Sequence, residues 1–201
     1  MCFFSQLSKP VKEIEKRFKA VFQHPEIFKA GTYNGFNYPE TPVITDNKSE
    51  IIQLFHWGLI PEWAKNNEIR KYTLNARMET IHEKPSFKNS VHKRCLIIAD
   101  GFFEWQWLDA KGKQKQKYEL IMPESSLFAF AGLWSEWTDP HTGERLKTYC
   151  ILTTEANELL CKIHNSKKRM PVIVAEDYEM QWLQGGELKM DNERLLALEA
   201  K

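Results

Sequence analysis

The sequence predicts an α+β fold, a mainly antiparallel, barrel-like sheet core with flanking helices. Six to eight short apolar runs follow one another, and turn-rich stretches such as DAKGKQKQ and TDPHTGE separate them. Those runs, for example RCLIIADGFFEWQW and LKTYCILTTEA, are rich in β-branched and aromatic residues, which suit a pleated, half-buried surface. Helical spacing of apolar residues is confined to short stretches near the ends and edges.

Taken in order, Ser8 and Pro10 open a helix expected to run to about Phe22, with Val11, Ile14, Phe18 and Val21 at helical spacing. A Gly-, Pro- and Asn-rich loop follows. PVITDNKSEIIQLFHWG reads as a strand, a turn at Asp46–Asn47 and a second strand. LIPEWAKNNEIRKYT is irregular, and LNARMET is a short strand ending near Glu79. A helical stretch broken at Pro85 leads into RCLIIADGFFEWQW, expected as one strong strand, with DAKGKQKQ as its hairpin turn. YELIM, LFAFAGLWSEW and LKTYCILTTEA continue as strands. EANELLCKIH is a short helix, MPVIV a strand, and the tail from Glu176 is expected to be mostly helical, ending without a final strand.

The 201 residues, 42% hydrophobic, suit a single domain over 1–201 with a sizeable core. A net charge of +1 does not announce a nucleic-acid binder. Lysines and arginines nevertheless cluster around Lys65–Arg77, Lys84–Arg94, Lys111–Lys117 and Lys162–Arg169, while acids collect after Glu176. Cys2, Cys95, Cys150 and Cys161 form no C-x-x-C pair and have no histidine cluster beside them, so neither a metal site nor a cofactor is expected. No secretory signal or membrane-length apolar run is present, and a reduced cytoplasmic setting fits best.

A cysteine at position 2 would carry an α-amine and a thiol on one residue once Met1 is trimmed, two nucleophiles with reference pKa values of about 8. An incidental cysteine is the ordinary explanation. Asn75, Arg77 and Glu79 share a strand face by the period of two, which in an amphipathic strand faces water. Glu104, between Phe103 and Trp105, is either a wet-face glutamate or a desolvated carboxyl with a raised pKa. His164 ends a short helix before three cations, where a C-capping role and a catalytic one are equally open. Trp63 sits in a polar loop beside cations, as a loop anchor or a base-stacking aromatic.

Together, Cys2, LNARMET, ADGFFEW and IHNSKKRMPVIV, in that order, resemble the SOS-response-associated peptidase (SRAP) family, sensors of abasic sites in single-stranded DNA. The resemblance runs from Cys2 to about Val174. It implies that Cys2, freed by loss of Met1, forms a thiazolidine cross-link with the opened sugar. It further implies that Asn75 positions the N-terminal residue, that Glu104 and His164 move protons, and that Arg77, Trp63, Arg169 and Lys168 contact DNA. The implied partner is abasic single-stranded DNA, bound by a monomer. This sequence departs from the family pattern at four places. Phe3-Phe4 replaces Gly-Arg, FNYP replaces Asn-x-Ala-Pro, Ala64 follows Trp63, and Asn165–Lys168 separates His164 from Arg-Met-Pro. A cysteine or N-terminal-nucleophile amidohydrolase would use the same Cys2, Glu104 and His164. A passive single-strand binder would use only Trp63 and the cations.

Overall fold

The structure, a computed structural model, describes residues 2–200. Its strands and helices are β1 (Phe4–Leu7), α1 (Val11–Phe18), β2 (Val21–Phe22), β3 (Gly31–Asn34), β4 (Glu40–Thr45), β5 (Lys48–Trp57), β6 (Asn75–Arg77), β7 (Arg94–Ala99), β8 (Gly101–Trp107), β9 (Lys115–Ile121), β10 (Phe128–Thr138), β11 (Arg145–Glu155), α2 (Glu158–Ile163), β12 (Arg169–Pro171), β13 (Ile173–Val174), α3 (Glu179–Leu183) and β14 (Leu196–Ala200).

Two sheets form. One has the order β14-β9-β8-β1-β3, and the other runs β12-β11-β10-β7-β4-β5-β2 with β6 and β13 attached. In the second sheet, β5 also pairs in parallel with β11, through Thr148 opposite His56 and Tyr149 opposite Trp57. That pairing closes β11-β10-β7-β4-β5 into a ring, so the expected barrel-like core is present. Closure leaves the central strands covered on both faces, and Cys150, Ile151, Leu152 and Thr153 of β11 are consecutively buried. One apolar cluster joins Phe55, Trp57, Phe130, Tyr149 and Ile151 of the ring to Phe102 and Leu120 of the other sheet, and Cys2 belongs to it.

Several local expectations need correction. The first helix stops at Phe18 because Lys19 turns left-handed (φ 50°) and its N–H caps Glu15 O. Phe22 then pairs with β5 as a strand, its N–H held by the Glu15 carboxylate (2.9 Å). RCLIIADGFFEWQW is two strands in different sheets. Asp100 marks the crossing, buried and accepting the backbone N–H and hydroxyl of Ser8 at 2.7 and 2.6 Å. LNARMET is strand only to Arg77, and Met78–Thr80 is a 3₁₀ turn. The stretch around Pro85 holds turns and a short 3₁₀ segment rather than a helix. MPVIV divides between β12 and β13. The tail is helical only briefly, and it returns as β14 along β9 with Leu196 opposite Ile121. Its residues are good helix formers, and the open edge of β9 overrides that propensity.

Candidate active site around Cys2

Strand β11 organises the site. On one side it pairs with β6, placing Asn75 opposite Ile151. On the other it pairs with β12, placing Arg169 opposite Glu155. Asn75 thereby reaches the first residues of the chain, and its Nδ2 donates to Cys2 O at 2.8 Å. Asn75 Oδ1 is buried and has no hydrogen-bond partner among the described residues. Cys2 itself is fully buried, its thiol directed at Phe4 O (3.7 Å). Burial first, and the nearby Glu104 charge second, push that thiol far above its ordinary value, so it rests as S–H. The thiol thus departs from the reference value of about 8 that the sequence alone suggests.

Glu104 lies on β8, buried like its neighbours Phe102 and Phe103. Burial raises its carboxyl from 4.5 to about 7. Of the two readings open from the sequence, the desolvated one therefore applies. Helix α2 brings His164 to it. Asn157 caps the helix start, its Oδ1 accepting from Leu160 N–H at 3.0 Å. At the other end, Gln106 Nε2 donates to Lys162 O (3.1 Å), and Asn165 exchanges two hydrogen bonds with the Trp107 backbone (2.9 and 3.1 Å). These bonds fasten the helix terminus to β8. His164 Nε2 then stands 3.9 Å from Glu104 Oε2. Burial lowers the ring's pKa from 6.5 to about 4, so it is neutral at physiological pH.

The His164 tautomer is set from behind. Lys168 adopts a left-handed conformation (φ 51°), uncommon for a side chain with a Cβ, and the turn aims Arg169 N–H at His164 Nδ1 (3.2 Å). With a donor facing Nδ1, the ring proton sits on Nε2, toward Glu104. Arg169, which the resemblance implies contacts DNA, is buried. Its guanidinium is buried and grips Glu79 with two bonds (2.9 and 2.8 Å) while donating to Thr153 O (2.7 Å). Those bonds hold Glu79 down at about 2.

Cys2, Asn75, Glu104 and His164 therefore converge. Arg77 is exposed, two residues along β6 from Asn75. Lys168 is exposed on the His164 turn. Trp63 is half-exposed on its loop, donating weakly to Pro85 O (3.4 Å), and no contact ties it to this group. Cys95 and Cys150 are buried, whereas Cys161 is only partly so. Met1, whose removal the resemblance requires, lies outside the described residues. The Glu79–Arg169 pair was not legible beforehand; its one signal is the unexplained charge in each of NARMET and RMP.

The chain is similar to several known proteins. The chain is 47% identical over 142 residues, 70% of its length, to the abasic site processing protein YoaM of Bacillus subtilis. It is 30% identical over 203 residues, 83% of its length, to the abasic site processing protein HMCES of Gallus gallus. It spans about 60% of the length of these relatives. A crystal structure of a Bacteroides thetaiotaomicron protein superposes with a TM-score of 0.89 at 34% identity, covering 100% of this chain and 92% of that one. The description "SOS response associated peptidase (SRAP)" matches residues 1–200, and the chain belongs to that family.

Proposed function

We propose that this chain processes abasic sites in single-stranded DNA by linking itself covalently to them through Cys2, acting as a monomer in the cytoplasm. The observation that carries this reading is the fully buried Cys2, with its carbonyl held by Asn75 and the Glu104–His164 pair nearby. The names of the relatives, abasic site processing proteins, point to the same substrate.

An abasic deoxyribose opens to an aldehyde. The free α-amine of Cys2 adds to that carbon, and loss of water leaves an iminium ion. The thiol sulfur then attacks the same carbon, its proton departs, and a five-membered thiazolidine closes. The net change is aldehyde plus aminothiol giving the ring and one water. The second attack is intramolecular, which gives it a large proximity advantage. Glu104, near pKa 7, exists in both forms at neutral pH. As an acid it protonates the departing hydroxyl; as a base it accepts the thiol proton. His164, neutral with its proton on Nε2, donates a hydrogen bond to the sugar oxygen during ring opening or to the Glu104 carboxylate, and Glu104 carries the proton. Asn75 holds the Cys2 carbonyl, and its spare Oδ1 accepts from the attacking amine. Removal of Met1 comes first, because only then is the α-amine of Cys2 free. Arg77 and Lys168 supply exposed positive charge for phosphates, and Trp63 offers a half-exposed ring on a separate loop.

The test is intact-mass analysis followed by reaction with an oligonucleotide carrying one abasic site. Protein lacking Met1 should give a denaturation-resistant adduct. Cys2→Ala should abolish it, and Cys2→Ser should stop at an imine trapped only by borohydride. Cys95→Ala and Cys161→Ala should react normally. An undiminished adduct from Cys2→Ala refutes the proposal, as does reactive protein that retains Met1.

A further inference from the structure

The lip of the Cys2 site carries an aromatic surface that the covalent chemistry does not use. Phe3, next to the nucleophile, stacks on Phe36 with ring centroids 4.8 Å apart and planes inclined by 29°. Phe4 sets its edge against Phe36 at 6.4 Å and against Trp105, the residue after Glu104, at 5.0 Å. The turn that carries Phe36 is fixed in place. Gly35 N–H donates to Phe3 O (2.8 Å), and Asn34 Oδ1 accepts from Phe36 N–H (3.0 Å). The approach at Gly35 is close enough that a Cβ there would stand 3.2 Å from both Phe3 O and the Trp57 ring. Phe36 is nevertheless 53% exposed. A phenyl ring anchored on both sides and left half in water has apolar area to cover and little entropy to lose on covering it.

The surroundings decide what covers it. Arg70 lies over the Tyr38 ring (4.3 Å), just beyond Phe36 in the chain, and Arg77 is exposed two residues from Asn75, which holds Cys2. An exposed ring whose own turn continues to the Arg70–Tyr38 pair, with the Arg77 cation on the strand that holds Cys2, matches a single nucleic-acid strand, whose bases offer π-faces and whose phosphates offer charge. A protein partner would have less use for the cations. A second copy of this chain would bring the same positive charges against one another.

We propose that Phe36, backed by Phe3, is a stacking platform for the nucleobase next to the abasic residue, and that it selects DNA in which that neighbour retains its base. This rests on the reading of the Cys2 site as the abasic-site reaction centre. The missing base leaves a gap in the strand, and its neighbour has lost a stacking partner that the phenyl ring replaces. The lesion and its intact neighbour are then read by adjacent parts of one surface, Cys2 and Phe36.

The probe is a short single-stranded oligonucleotide with one tetrahydrofuran residue, the unreactive mimic of the lesion. Its 5′ or 3′ neighbour is either adenine or a second tetrahydrofuran. Binding is followed by fluorescence anisotropy at fixed salt, and the matching reactive oligonucleotides are scored for cross-linking. On one side of the lesion, wild-type protein should bind the adenine-flanked probe roughly five- to a hundredfold more tightly, the scale of one base–aromatic stack. Phe36→Ala should erase that preference and Phe36→Trp should keep it, both with the wild-type dependence on salt, because stacking releases no counterions. The platform is overturned if wild type binds both probes alike, or if Phe36→Ala weakens both by the same factor; cross-linking through Cys2 would then still stand. Wild type that neither binds nor cross-links any of these strands overturns the reaction-centre reading, and the platform with it.

Discussion

Replacing Glu104 by glutamine should stabilise the protein at alkaline pH while disabling it. The carboxyl is buried, and its pKa rises from 4.5 to about 7. A folded-state pKa above the unfolded one means that the folded state holds its proton more tightly. The stability contribution is therefore complete below pH 4.5 and is lost as pH climbs through 7. At about 1.4 kcal/mol per pKa unit, ionising Glu104 in place costs the native state about 3 kcal/mol by pH 8.5. The substituted glutamine does not ionise. Urea unfolding of both proteins at intervals from pH 4 to pH 8.5 would give the two stabilities. Any constant offset from the substitution cancels in the trend, and the variant should gain about 3 kcal/mol on wild type over that interval, most of it between pH 4.5 and 7. The cross-linking rate at pH 7 should meanwhile fall by about a hundredfold or more, the usual scale for a lost acid/base group. Parallel stability curves would refute the claim that Glu104 is a desolvated carboxyl. A fall in stability difference with rising pH would reverse its sign.

Three further outcomes follow from the same geometry. Nitrogen-detected NMR should find the His164 ring neutral at pH 5.5, with its proton on Nε2 and a midpoint near 4; a midpoint near 6.5 would mean the ring is not desolvated. Glu79→Gln should lower the melting temperature and slow cross-linking by about tenfold, because breaking a pair leaves the buried Arg169 charge without its carboxylate; a variant that slows without any change in the His164 Nε2/Nδ1 signature would disconnect Glu79 from the tautomer. Gly132→Ala should destabilise by about 1–3 kcal/mol in urea, since overpacked cores cost that much, its Cβ falling 2.3 Å from Ile97 Cδ1 and 2.6 Å from the Cys150 carbonyl oxygen; unchanged stability would show that β10 and β11 separate easily.

How far the sequence could be read depended on how local each cause was. Strands β5, β10 and β11 and the β8–β9 hairpin declare themselves through β-branched and aromatic runs bounded by turn residues. The parallel contact of Thr148 with His56 that closes the ring has no local signature, because neither segment alone says what will lie beside it. Asp100 looks like one polar residue inside a strand. It ends the strand only because Ser8, ninety-two positions away, satisfies its carboxylate. The site shows the same division. Pattern alone left Glu104 and His164 open between ordinary and special roles. Their order with Cys2 and NARMET suggested a family, and the structure supplied the convergence. Arg169 was misplaced because its partner Glu79 is contributed by another segment of the chain, so nothing in Arg-Met-Pro distinguishes a surface cation from a buried one.

In the cross-linking reaction proposed above, burial of Cys2 fixes the order of events. A thiol in an apolar core, with Glu104 beside it, does not ionise at neutral pH, so sulfur cannot be the first nucleophile. The amine must attack first. Its product, an iminium ion, places a positive charge one residue's width from the sulfur, inside the same low-dielectric pocket. That charge favours thiolate, and only then does the proton transfer to a Glu104 carboxylate near pKa 7 become favourable. On this proposal the buried thiol stays inert toward solvent and oxidants until the substrate supplies the charge that activates it. The same reasoning explains why His164 rests neutral beside Glu104: a standing imidazolium–carboxylate pair would hold the site charged before the iminium forms. A protein whose Cys2 reacted rapidly with iodoacetamide at pH 7 in the absence of DNA would contradict this order, because alkylation at that rate requires a thiolate already present.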